Sequence, residues 1–428
     1  MIADRSVGSR ARLTPGAPPG PYRALFGQPV LRGLAVADVC ARLPQGMVTI
    51  TLLLVAAQHA SITVAGLVVA GYTLGQALTA PLRGRLADRG GLVPVAALCT
   101  AGYALALLAL LFSALASAPA AVLIGAASAA GLVNPPLSPG MRSLWSAYAS
   151  DGLRQTAFAL DAAVFDLAYI VGPVLASTLA TGLAPAVAVA VLLALTAAAV
   201  LIISTRRPRT PASPEAPVRP ATTARPTTPG PAPDRHSQRR PHSPLRSPAL
   251  RQLLITAALT NAALSATEVA LTAYVRHHHA LWASGPLLAE VSIGSILGSL
   301  LLGAHTFAAK STRSRLPRLL AGYTLGLAVL AAAGLYAPLL AVAAPLAGLC
   351  LGATLATLFG AAASVAPAGS GTETQAWINS IMNGGAAGGA ALAGFSAGQP
   401  VLALALAAVI AAAAALSAVV QGHKEVSR

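Results

Sequence analysis

The sequence predicts an all-α membrane protein with twelve transmembrane helices in two six-helix bundles related by pseudo-two-fold symmetry. Three observations carry that prediction. Of the 428 residues, 56% are hydrophobic and only 9% are charged, with a mean hydropathy of +0.71; a water-soluble domain carries roughly 25% charged residues. The apolar residues fall in runs that match a bilayer core, which takes about 20 residues per helix. The two halves also match each other at one constant shift in numbering.

Taken in order, residues 1–30 form a basic, Pro- and Gly-rich tail with no apolar core before Leu31, so an uncleaved signal-anchor is expected rather than a cleavable leader. The first bundle, 31–204, holds spans near 31–57, 62–83, 93–114, 118–141, 155–181 and 183–204. Pro44, Pro81 and the Asn134-Pro135-Pro136 run punctuate these spans, since proline is tolerated within membrane helices but kinks them. Residues 205–249 are rich in Pro, Arg, Ser and Thr without apolar periodicity, as expected of a disordered cytoplasmic linker. The second bundle, 250–421, holds spans near 250–275, 283–308, 316–336, 339–363, 372–396 and 399–421, and 422–428 form a short tail.

The formal net charge of +16 suggests nucleic acid until the charges are mapped. Arg5, Arg10, Arg12, Arg23, Arg83, Arg85, Arg89, Arg142, Arg154, the linker, Lys310, Arg313, Arg315, Arg318, Lys424 and Arg428 all fall on one side, and only Arg276 on the other. This is the positive-inside pattern, with both termini cytoplasmic in a multi-pass protein of the cell membrane. No aromatic-basic surface accompanies the charge, so nucleic acid is not an expected partner. Cys40, Cys99 and Cys350 lie inside apolar runs without metal-ligand spacing. His277-His278-His279 sits in a loop, where adjacent histidines do not converge on one ion, so no metal or cofactor is expected.

A shift of 219 residues pairs Leu31-Arg32 with Leu250-Arg251, Gly75 and Gly84 with Gly294 and Gly303, and Ala157-Phe158 with Ala376-Trp377. Each match is weak in an Ala/Gly/Leu-rich chain. One shift serving three pairs of helices implies a repeated six-helix unit, as in transporters whose site lies between the repeats.

The loop after the second span reads Gly84-Arg85-Leu86-Ala87-Asp88-Arg89-Gly90-Gly91. It resembles the signature loop of the major facilitator superfamily, Gly-x-Leu-Ala-Asp-Arg-x-Gly, at Gly84, Leu86, Ala87, Asp88, Arg89 and Gly91, and departs from it at Leu92, where the family has a basic residue. Together with twelve spans, a central basic linker and the repeat, the resemblance covers the whole chain. It implies a secondary-active transporter working by alternating access, resembling bacterial, actinobacterial-like efflux permeases. It also implies a gate. Asp88 docks on the free N–H groups that open the eleventh span, with Arg89 as its paired cation. Phe307 and Ala308 occupy the shifted positions, so that latch is one-sided. Gly172-Pro173 in span five resembles the family's antiporter signature, diluted because Ala159, Ala168, Ala176 and Ser177 replace glycines. Span four lacks a buried arginine over Gly125–Gly131.

Ionisable groups inside a membrane are costly and mark function. Asp38 and Arg42 form an i,i+4 pair that either neutralises itself or offers Arg42 to a substrate. Asp161 and Asp166 lie about 140° apart on their helix; Asp161 falls on the packing face, and Asp166 is the candidate cavity carboxylate and proton carrier. Glu290 replaces the Gly71 of the first half. Asn261, Asn379 and Asn383 complete the expected cavity. The leading reading is proton-coupled efflux of a small drug-like compound or secondary metabolite by a monomer in contact with lipid. Uptake of a small polar nutrient, or a non-transporting scaffold or sensor on the same fold, are the alternatives. Nothing in the chain points to an enzyme.

Overall fold

The computed structural model describes residues 20–58, 60–205, 244–278, 284–304, 309–396 and 398–426. The tail 1–19, most of the 205–249 linker, Phe307, Ala308 and His279 lie outside the described residues, as do the side chains of Lys310, Arg313 and Lys424. Among the described residues all extended regular structure is helical. The helices are α1 (Pro21–Gly27), α2 (Pro29–Ala57), α3 (Ile62–Gly90), α4 (Leu92–Leu115), α5 (Ala120–Leu132), α6 (Leu137–Tyr148), α7 (Asp151–Gly182) and α8 (Pro185–Thr205) in the first half. The second half holds α9 (Pro248–His277), α10 (Ser284–Gly303), α11 (Ala309–Ala333), α12 (Leu340–Val365), α13 (Gly371–Phe395) and α14 (Pro400–Val426).

Pro29 and Pro248 open α2 and α9, 219 residues apart, and proline at the first helical position costs no hydrogen bond. Ser61 and Ser247 cap α3 and α9 by accepting the N–H three residues on. Buried Thr51, Thr196, Thr260 and Thr267 return their hydroxyls to the carbonyl four residues back, so these four donors are satisfied within their own helices. Large apolar side chains on the outer faces, such as Leu98, Leu105, Phe112 and Leu201, are exposed, as a lipid solvent permits.

Among the described residues eleven helices are long and apolar enough to cross a membrane, counting α5 and α6 as one span broken at Asn134-Pro135-Pro136. The twelfth expected span, 372–396, falls on α13, which has the length at 25 residues but carries Glu373, Gln375, Asn379 and Asn383 among its glycines. It packs chiefly against α9 and α3.

Close helix contact is made by small residues, as membrane interiors require. A Cβ on Gly172 would stand 2.6 Å from the Gly46 carbonyl carbon, so α2 and α7 cross backbone to backbone. Gly75 likewise fits against Ser128 and Leu132 on the α3–α5 crossing, and its repeat mate Gly294 fits against Pro345 on the α10–α12 crossing. The repeat is therefore expressed in equivalent contacts. The halves meet along α3 with α13 and α7 with α10.

Candidate functional site

At one end of the molecule α3 runs into the start of α13. Asp88 Oδ1 accepts the Thr372 N–H at 2.9 Å and Oδ2 the Glu373 N–H at 2.7 Å, so one carboxylate takes up two free donors of a helix N-terminus. Arg85 grips Glu373 with two bonds, Nη2 to Oε1 at 2.7 Å and Nε to Oε2 at 3.1 Å. Gly84 allows the approach: a Cβ there would stand 2.9 Å from the Glu373 Cα. A second cross-half contact lies at the end of α10. The Thr156 hydroxyl donates to the Gly303 carbonyl at 2.6 Å and the Tyr22 hydroxyl to the Leu300 carbonyl at 2.9 Å.

Deeper in the first half lies a fully buried charge cluster. Arg42 bonds Asp38 Oδ1 at 3.2 Å, and also Ser138 and Asp161. The other oxygen of Asp161 accepts Arg142 Nε at 2.9 Å, and Trp145 Nε1 donates to Asp38 Oδ2 at 3.3 Å. Two arginines and two aspartates at 0% exposure make a neutral unit tying α2, α6 and α7. Removing any one charge would leave another buried and unpaired, which is the costly arrangement. Arg142 continues across the interface: Nη1 donates to Asn379 Oδ1 of α13 at 2.7 Å, and its guanidinium lies 3.3 Å from the Phe359 ring centroid.

Between the halves lies a cavity of about 460 Å³, bounded by α2, α3, α6 and α7 on one side and α9, α12 and α13 on the other. Gln45, Gln76, Asn134, Asn379 and Asn383 give it polar walls, and Phe165, Tyr169 and Phe359 give it aromatic ones. Its floor on the Asp88 side holds Arg83 and Arg142. Beyond Ser380, which approaches the Ala77 carbonyl at 3.5 Å, α13 draws away from α3, and Gly384 and Gly388 face open space. A rim hollow of about 500 Å³ beside Leu54 and Pro185 lies within the first half and touches none of these charges.

The family model of the Major Facilitator Superfamily matches residues 34–390, most of the chain. The chain belongs to the major facilitator superfamily. Solved structures of similar fold include the human organic anion transporter MFSD10, at 17% identity and TM-score 0.68, with 91% of this chain and 100% of that one covered. A bacterial homologue of the iron transporter ferroportin, outward-facing, gives 13%, 0.68, 94% and 100% in the same terms. The FucP transporter in its outward conformation gives 13%, 0.69, 91% and 98%. No curated protein matches the sequence. At these identities the likeness establishes the fold, and transporters are what share it. This chain is a multi-pass membrane protein of the superfamily, and the solved structures that share its fold are transporters.

On this superfamily frame the residues singled out from the sequence divide. Asn261, Asn379 and Asn383 line the cavity, with Asn261 tied by Nδ2 to the Met382 carbonyl at 2.9 Å. Asp38 and Arg42 do not: they are walled off behind Ser138 and Phe165. Asp166 faces Ser295 across the α7–α10 contact instead of the cavity, and one of its oxygens has no partner. Glu290 is half-buried outside the cavity lining, with one oxygen likewise unpartnered.

Three corrections concern arginines. Arg142, assigned to a cytoplasmic segment, is fully buried, because the fourth span continues past the proline break to Tyr148. Span four therefore does carry a buried arginine, beyond the Gly125–Gly131 stretch. Arg83, assigned likewise, is 6% exposed and turns back along α3 to the Gln76 carbonyl, 2.9 Å from Nη2. The cation at the Asp88–α13 contact is Arg85; Arg89 is exposed and forms no ion pair among the described residues. Asp161, read as a packing-face residue, is the hub of the charge cluster. Gly84 packs against the start of α13, Gly91 takes φ +87° in the turn that follows, and Gly172-Pro173 lies on the α2–α7 crossing. Among the described residues no group of His, Cys, Asp and Glu is arranged to hold a metal.

Proposed function

We propose that this superfamily member is a proton-coupled exporter of a small organic compound, working by rocking of the two bundles in the cell membrane with both termini cytoplasmic. One observation carries the reading: a cavity between the halves, shut at one end by Asp88 on the N-terminus of α13. A bond to a helix end that forms only when the halves meet there is a two-state element, as alternating access needs. The positive-inside charge pattern supports the Asp88 side as cytoplasmic.

Export is supported by the Gly46–Gly172 crossing, where the glycine-proline pair of the antiporter-like signature sits. Proton coupling is supported by Asp166, a buried carboxylate at the moving α7–α10 contact with an oxygen left over. Uptake of a polar nutrient is the second reading, favoured by the amide-rich cavity wall. The named relatives carry different cargo, an organic anion, iron, and fucose with protons, so they do not choose between the two.

The test is flux in proteoliposomes with an imposed proton gradient. Substrate movement against its own gradient and opposite to the protons, abolished by an uncoupler and reversed in sign by reversing the proton gradient, supports an antiporter. Movement in the same direction as the protons supports the uptake reading, and no gradient-dependent movement of any compound contradicts both.

A further inference from the structure

The charges that line the cavity do not balance. Asp38 and Asp161 are matched by Arg42 and Arg142 within the buried cluster. Arg83 is additional, and among the described residues lining the cavity there is no aspartate or glutamate. The other carboxylates of the spans, Asp166, Glu268 and Glu290, do not line it. The floor thus carries one surplus positive charge in a setting where unpaired charge is expensive.

Two donors at that floor are unused. Arg142 spends Nε on Asp161 and Nη1 on Asn379, and its Nη2 is buried without a partner. Arg83 spends Nη2 on the Gln76 carbonyl, and its Nε is buried without a partner. Each guanidinium is held, Arg142 by Asp161 and by the face of Phe359, Arg83 by its own helix, and both lie just beneath the cavity surface, so a small side-chain shift brings the free donors to a ligand. Fixed planar donors of this kind match a carboxylate. Above them the walls offer Phe165 and Tyr169, surfaces for a flat apolar body, and the amides of Asn379 and Asn383. A cationic compound would meet no carboxylate in this lining.

We propose that the cavity takes a small organic monoanion, an aromatic or apolar body bearing one carboxylate, with Arg83 and Arg142 as its recognition residues. This rests on the transporter reading given above and names its substrate class. A single negative charge cancels the surplus of Arg83 and satisfies both free donors. The carboxylate sits against the floor, so its hydrogen bonds also link α3 and α6 to Asn379 of α13 through Arg142, across the surface that must part on the Asp88 side.

The probe is benzoate, with benzamide and benzylamine as its neutral and cationic matches, measured by thermal shift on the purified full-length protein at constant ionic strength. Benzoate is expected to raise the Tm saturably and to bind about tenfold or more tightly than either match, the scale of a hydrogen bond to a charged group. Arg83→Gln is expected to remove that preference and Arg83→Lys to retain part of it, with an unliganded Tm no lower than that of the wild type. Arg83 lies outside the buried cluster, so these variants keep the fold that Arg142→Gln would endanger. Benzylamine binding tighter than benzoate, no saturable response to benzoate, or benzoate binding unchanged in Arg83→Gln would each overturn the proposal. The two readings fail separately. Benzylamine bound and carried in proteoliposomes would sink the anion site and leave the transporter; benzoate bound through Arg83 while no compound moves would do the reverse.

Discussion

The carboxylate of Asp88 holds the backbone N–H groups of both Thr372 and Glu373, 284 and 285 residues further along the chain. The contact is made by atoms that every helix start exposes, so its strength depends on Asp88 alone. Asp88→Asn keeps the shape but loses the charge, and its amide nitrogen repels one of the two donors. A hydrogen bond to a charged group contributes about 1.5–3 kcal/mol, enough to shift a two-state balance by about tenfold or more. Proteoliposome flux is expected to fall by that order. Wild-type flux in Asp88→Asn would remove the gate from the account.

Arg85 and Arg89 separate cleanly. Arg85→Ala loses a two-pronged but 39% exposed ion pair, so it is expected to cost less than Asp88→Asn, about 1 kcal/mol or below. Arg89→Ala is expected to be neutral. Exchanging the partners, Arg85→Glu with Glu373→Arg, should restore flux relative to either single change. Equal losses in the Arg85 and Arg89 variants would refute this assignment.

Asp161 is predicted to dominate stability. Asp161→Asn leaves Arg42 and Arg142 sharing too little negative charge at zero exposure, a loss of about 3–5 kcal/mol. Asp38→Asn is expected to cost less, since Arg42 keeps Asp161. Detergent-solubilised thermal unfolding measures both, and the reverse order would contradict the cluster's layout.

The small-residue crossings give a paired control. Gly172→Ala puts a methyl 2.6 Å from the Gly46 carbonyl carbon and is expected to force α2 and α7 apart, lowering expression and Tm. Gly384→Ala, on a helix face with nothing within 4 Å, is expected to be tolerated and slightly stabilising. Equal tolerance at both sites would show the α2–α7 approach to be looser than described.

Much of this architecture was legible in the sequence, and the misreadings share a cause. Run length and a repeat shift locate helices, and the Gly84–Gly91 loop locates one contact between the halves, because each depends on residues near in sequence. Depth past a proline break does not. Reading the fourth span as ending near residue 141 put Arg142 in water, where the helix carries it one turn further into the protein core. Arg83 was misplaced because a long side chain can fold back along its helix. Helical periodicity separated Asp161 from Asp166 but had no means of telling which face meets two arginines from other helices. Arg85 and Arg89 lie on one stripe of α3, and only the position of α13 decides which of them finds Glu373.

The central claim is that one cavity is opened alternately from two sides, with Asp88 holding one side shut. Distances between spin labels at exposed Arg89 and Ala368 on the Asp88 side, and at exposed Gln58 and Arg276 on the other, test it most directly. Introducing Asp88→Asn is predicted to lengthen the first distance and shorten the second. Two distances that stay fixed, or that lengthen together, would contradict the account.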